Sequence, residues 1–129
     1  MKVSKKIILI SLGLGFFSFP AYADLNTDQI CRAGIATIMG KSPSIITVDS
    51  KKGDVKYLSY IRKEDNTKWK YKCQVKGFRI HWGSIDSDGT EGRWRTNPAD
   101  DQVIFETDID TITVTEGGYN SKTFKNSEL

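Results

Sequence analysis

The chain has 129 residues, with two cysteines and a single histidine, numbers that suit one domain and exclude a Cys-x-x-Cys redox centre or a multi-ligand zinc site. Its formal charge of +3 equals the three lysines among residues 1–23, leaving 16 basic and 16 acidic residues from Asp24 onward. A neutral domain loses the case for nucleic-acid binding that a pI of 8.8 invites, so no nucleic-acid partner is expected.

The chain opens with Lys2, Lys5 and Lys6, an apolar run from Ile7 to Phe19, and Ala21-Tyr22-Ala23. This is the order of a secretory signal peptide, residues 1–23, with cleavage before Asp24. The apolar run is shorter than the roughly 20 residues of a spanning helix, and no cysteine follows the site to carry a lipid. An exported protein, periplasmic or secreted and without stable membrane insertion, is the expectation, with residues 24–129 as one small domain.

Asn26-Thr27-Asp28-Gln29 has the spacing of a capping box. Cys31, Ile35, Ile38 and Met39 follow at helical spacing, Ala33, Gly34 and Ala36 keep the helix thin, and Gly40 supplies a stop. The spacing predicts a helix over 27–39. Ile45–Asp49 and Val55–Arg62 then read as strands, the second with Val55, Tyr57 and Ile61 on one face and Leu58 and Tyr60 on the other.

The clearest signal is Lys68–Trp82. Trp69, Tyr71, Cys73 and Val75 alternate with Lys and Gln, Lys76-Gly77 interrupts, and Phe78, Ile80 and Trp82 resume the period opposite Arg79 and His81. Period two broken at a glycine predicts an antiparallel hairpin. Ser84–Gly92 is a loop, Arg93-Trp94-Arg95 a short strand, and 102–107 with 111–115 a last hairpin. The Gly-, Ser- and Asn-rich tail from about 117 reads as flexible.

In an oxidising compartment Cys31 and Cys73 read as one disulfide. Cys31 lies on the helix stripe and Cys73 on the apolar face of the third strand, so the bridge ties helix to sheet. The expected fold is α+β: one N-terminal helix packed on an antiparallel meander of five or six strands, monomeric and without a cofactor.

Charge is segregated: residues 51–95 hold 12 basic against 6 acidic groups, and 96–129 hold 2 against 7. Opposed ends of one sheet explain this, as does a basic patch for an anionic partner. Asp86-Ser87-Asp88-Gly89-Thr90-Glu91 resembles a calcium loop, but Arg95 stands where the twelfth-position glutamate belongs, and no metal is expected. His81 is the one candidate general base, and an exposed strand histidine without a role is its rival reading.

The aromatic residues carry more. Trp69, Tyr71, Phe78 and Trp82 are expected in the core. Trp94 stands between Arg93 and Arg95 beside a loop, the composition of interface hot spots, and an exposed tryptophan also stacks on sugars. Arg93, Trp94, Arg95 and, more weakly, Tyr60 are therefore the binding candidates. Structural packing of Trp94 is the alternative.

Taken together, Cys31–Gly40, Lys68–Cys73 and Gly92-Arg-Trp-Arg-Thr resemble small exported bacterial or phage-encoded proteins with a cysteine-bearing helix and a Trp-rich meander. That resemblance implies no activity. A non-enzymatic module binding a protein or glycan is expected, an inhibitor or exclusion factor being one form of it. The alternatives are a small hydrolase using His81 with nearby acids, and a structural envelope protein.

Overall fold

The structure, a computed structural model, describes residues 25–129, and the expected signal peptide of residues 1–23 lies outside them. Helix α1 (Thr27–Met39) starts in the expected capping box: Asn26 Oδ1 accepts from the Gln29 N–H and Gln29 Oε1 accepts from the Asn26 N–H, both at 2.9 Å. Gly40 ends it in the left-handed region at φ +64°, which lets the Lys41 N–H reach the Ala36 carbonyl at 2.9 Å.

Seven antiparallel strands follow in chain order: β1 (Thr47–Lys52), β2 (Val55–Arg62), β3 (Thr67–Lys76), β4 (Arg79–Ile85), β5 (Val103–Thr107), β6 (Thr111–Glu116) and β7 (Asn120–Lys125). The predicted hairpin is present, with Lys76 opposite Arg79 and Gly77 at φ +60° as the first residue of a two-residue turn. Glycine at that position suits the twist of paired strands.

The helix packs on β3, β6 and β7 and touches β1 and β2. Strands from both halves of the meander reach it because the sheet curls around it. The wrapping explains why α1 buries more than a stripe, with Ile30, Cys31 and the whole turn Ala33–Thr37 inside. Gly34 makes the close approach possible, since a Cβ there would sit 2.9 Å from Ile80 Cδ1. Leu58, Ile112 and Val114 from the sheet and Ile35 from the helix are fully buried between them. The Cys31–Cys73 disulfide spans this interface with its Cα atoms 5.9 Å apart, the ordinary separation for such a bond.

Arg32, on the outer side of the helix, fastens the chain around it. Its guanidinium donates to the Ile46 carbonyl at 3.0 Å, to the Pro43 carbonyl at 2.6 Å and to the Leu129 carbonyl. The 3₁₀ turn Pro43–Ile45 and the last residue are thus held to one side chain.

Several expectations are corrected. The strand count is seven, not five or six, and the additional strand is β7, within the tail expected to be flexible from about 117. Gly117 and Gly118, at φ +62° and +77°, form a turn rather than a frayed end, and β7 pairs with β6 along its length. Phe124 is the one inward apolar residue of β7, so no alternation marked it. Arg93-Trp94-Arg95 does not form a strand. Phe78 is 77% exposed instead of buried, because it sits in the turn beyond the helix-covered area, and Trp69 is 41% exposed.

Cys31→Ala with Cys73→Ala should lower unfolding free energy by about 2–4 kcal/mol, read as a lower urea midpoint. An unchanged midpoint would show that packing alone seats the helix.

Candidate ligand cleft at the end of the helix

Helix α1 has 13 residues and β3 has 10. At about 1.5 Å and 3.3 Å per residue these are about 20 Å and 33 Å long, so the strand must overrun the helix. The overhang leaves part of the helix-facing sheet surface uncovered beyond Met39. A cleft of about 480 Å³ lies there, lined by Met39, Trp69, Tyr71, Trp82, Ser84 and Arg95 among others.

The rings are fixed from below. Tyr71 is buried, stacked on buried Tyr60 at 6.0 Å between centroids and tilted against Trp82 at 6.3 Å. Burial, with help from Tyr60, pushes the Tyr71 phenol well above its usual range. Trp69 donates its indole N–H to Thr67 Oγ1 at 2.8 Å and carries the Arg62 guanidinium 5.0 Å from its centroid. Arg62 is held in turn by Asp65.

The other wall comes from the long β4–β5 connection. Strand β5 meets β4 at Arg79 and Ile104, with a further bond from the Phe105 N–H to the Phe78 carbonyl. Beyond that point the edge of β4 is taken by residues 91–95, which form a strap. Glu91 bridges to Ile85, the Gly92 N–H reaches the Ser84 carbonyl and the Arg95 N–H reaches the Trp82 carbonyl, both at 2.8 Å.

Successive strap side chains point to opposite faces. Arg95 lies over Trp82, 5.2 Å from its centroid, at the cleft. Trp94 turns to the far face and covers Lys72, whose Nζ is 4.4 Å from the ring centroid and 3.2 Å from Glu91 Oε1. Tyr57 donates to the other Glu91 oxygen at 3.2 Å. Gly83, the cross-strand partner of Lys72, leaves room for this: a Cβ there would be 2.7 Å from the Arg93 carbonyl oxygen and 2.8 Å from Lys72 Cε. Arg93 grips Asp100 through both guanidinium nitrogens, at 2.7 and 2.8 Å.

The four sequence candidates therefore part company. Arg95 lines the cleft, Trp94 is a half-buried cover on the opposite face, Arg93 clasps the strap to Asp100, and Tyr60 lies beneath the floor with 6% exposure. Parity places Trp69, Tyr71 and Trp82 on the helix-facing side, where Tyr71 is core as expected and the two indoles stay partly open. Comparing the lengths of helix and strand is the signal that separates them. His81 is on the face away from the helix, and burial, Arg79 and Lys76 together lower its pKa. No carboxylate hydrogen-bonds it among the described residues. No His, Cys, Asp and Glu cluster able to hold a metal is found among them either.

These elements define a small disulfide-linked α+β fold with an aromatic, arginine-flanked cleft at the helix end. No protein-family model, no characterised protein and no solved structure matches the chain. The functional reading rests on the site itself.

Gly83→Ala should destabilise the protein by about 1–3 kcal/mol, since a backbone oxygen cannot give way, and should unseat Trp94, read as a red shift of its emission. The Arg93 guanidinium holds the Asp100 carboxyl at about 2, below its usual 3.8. A lowered carboxylate contributes stability above the unfolded value and loses it as pH falls through the folded one. Strap order, followed by Trp94 emission, should therefore persist between pH 3.8 and about 2, whereas Arg93→Gln should loosen it from the upper end of that window.

Proposed function

We propose that the protein is an exported, non-enzymatic binding module that holds an extracytoplasmic protein or glycan in the cleft beyond α1. One observation carries this reading: half-exposed Trp69, half-buried Trp82 and exposed Arg95 converge on one cleft. Large rings with little conformational entropy to lose, beside a guanidinium, are the groups that dominate binding energy at recognition sites. The signal-like start of the chain and the disulfide support export. No described helix is long and apolar enough to cross a membrane.

The hydrolase alternative has less support. A general base requires an orienting partner and a cleft, and His81 has Arg79 and Lys76 as its electrostatic neighbours. Burial and these two cations lower its pKa, and no carboxylate among the described residues orients it.

The test is retention of the oxidised protein on isolated bacterial envelope polysaccharide and on envelope protein. Trp69→Ala and Arg95→Ala should each weaken retention by about tenfold, the loss typical of a hot-spot residue, and His81→Ala should leave it unchanged. Loss on His81→Ala alone would replace this reading with the hydrolase. Indifference to all three would favour a structural envelope protein.

A further inference from the structure

The chemistry of the cleft points beyond binding in general to a class of ligand. Four cations line it, Arg62, Lys68, Lys70 and Arg95, against the single acid Asp86. Their availability differs. Arg62 is held by Asp65, and Lys68 and Lys70 alternate with Trp69 and Tyr71, so their side chains leave from the opposite face of β3. Arg95 remains. Its guanidinium rests on Trp82 and, among the described residues, makes no ion pair. Asp100, Asp101 and Glu116 line an adjoining pocket with it, yet Asp100 is taken by Arg93, Asp101 accepts from Tyr119 and Glu116 accepts from Asn120. An exposed guanidinium with no ion pair keeps its fork of donors for a carboxylate, and planar two-point recognition of that kind is what arginine does better than lysine.

The backbone around the cleft argues against an extended peptide. Peptides that add to a sheet draw their affinity from main-chain hydrogen bonds along a free strand edge. Here β3 lies between β2 and β4, and the strap has taken the edge of β4 through Gly92 and Arg95. The open edges of the sheet belong to β1 and β7, the outermost strands. What the cleft offers is side chains: two indoles, the guanidinium, and the serines Ser84 and Ser87. Indole surface beside hydroxyl partners suits a sugar ring. The volume of about 480 Å³ admits a short oligosaccharide.

We infer that the cleft binds an acidic saccharide, seated beside Trp69 and Trp82 with its carboxylate on Arg95. This assignment rests on the cleft being the binding site.

The experiment titrates the oxidised protein with sialyllactose and oligogalacturonate and with their neutral counterparts, lactose and oligogalactose, following tryptophan emission and calorimetry. A glutamate-rich peptide is the comparison arm. The acidic sugars should bind roughly tenfold tighter than the neutral ones, the worth of one charge-assisted contact, and lose that margin at high salt. Arg95→Gln should abolish the margin between acidic and neutral sugars, and Trp69→Ala should weaken all sugars. Circular dichroism checks that both variants fold. Equal binding of acidic and neutral sugars, or a margin that survives Arg95→Gln, overturns the assignment. If only the peptide binds, and does so through Arg95, the saccharide falls and the cleft stands. If none of these ligands binds, the saccharide falls, and the cleft stands or falls on retention by envelope protein.

Discussion

The seating of one helix inside a curled sheet is the constraint on which the remaining features depend. Helix α1 is fixed at three depths: the Cys31–Cys73 bond joins it to β3, Gly34 lets it settle onto Ile80, and Arg32 ties the following loop and the last residue to its outer side. Each acts by a different physics. The covalent link removes conformations from the unfolded chain, the glycine permits van der Waals contact at a distance no side chain allows, and the guanidinium gives the Pro43, Ile46 and Leu129 carbonyls a charged donor. Because the helix is held here, its end at Gly40 decides where the sheet becomes accessible.

The cleft is a consequence of that geometry. A strand advances more than twice as far per residue as a helix, so a 13-residue helix cannot cover a 10-residue strand. The rings nearest the helix centre are sealed, as Tyr71 is, while Trp69 at the overhang stays partly open. One alternating pattern therefore supplies both core and site, and the change from one to the other is set by position along the strand.

The strap shows how a long loop is made to hold a wall. It borrows the edge of β4 where β5 has diverged, and it is locked on both faces of the sheet. Trp94 and Glu91 enclose the buried Lys72 on one side, and Arg93 clasps Asp100 on the other. A buried ammonium needs an anion and benefits from a ring face, and both come from the strap. Other cations of residues 51–95 are paired away from the strap, Lys76 with Asp54 and Lys51 and Lys56 with Asp28. Arg95 is left with its guanidinium on an exposed part of the wall.

What was legible in the amino-acid order was everything governed by neighbours close in the chain. The capping box at Asn26 and Gln29, the stop at Gly40, the hairpin at Gly77 and the inward cysteines all follow from local chemistry and from periods of 3.6 and two. Strand β7 escaped because its one inward side chain, Phe124, makes no period, and its pairing is enforced by β6 from across a glycine turn. The fates of Trp69, Trp82, Trp94 and Arg95 were decided only in three dimensions. Parity assigns a side chain to a face, but whether that face is covered depends on where another element ends. Trp94 and Arg95 differ in role because the strap lies along β4, and nothing within its own residues sets the partner it pairs with.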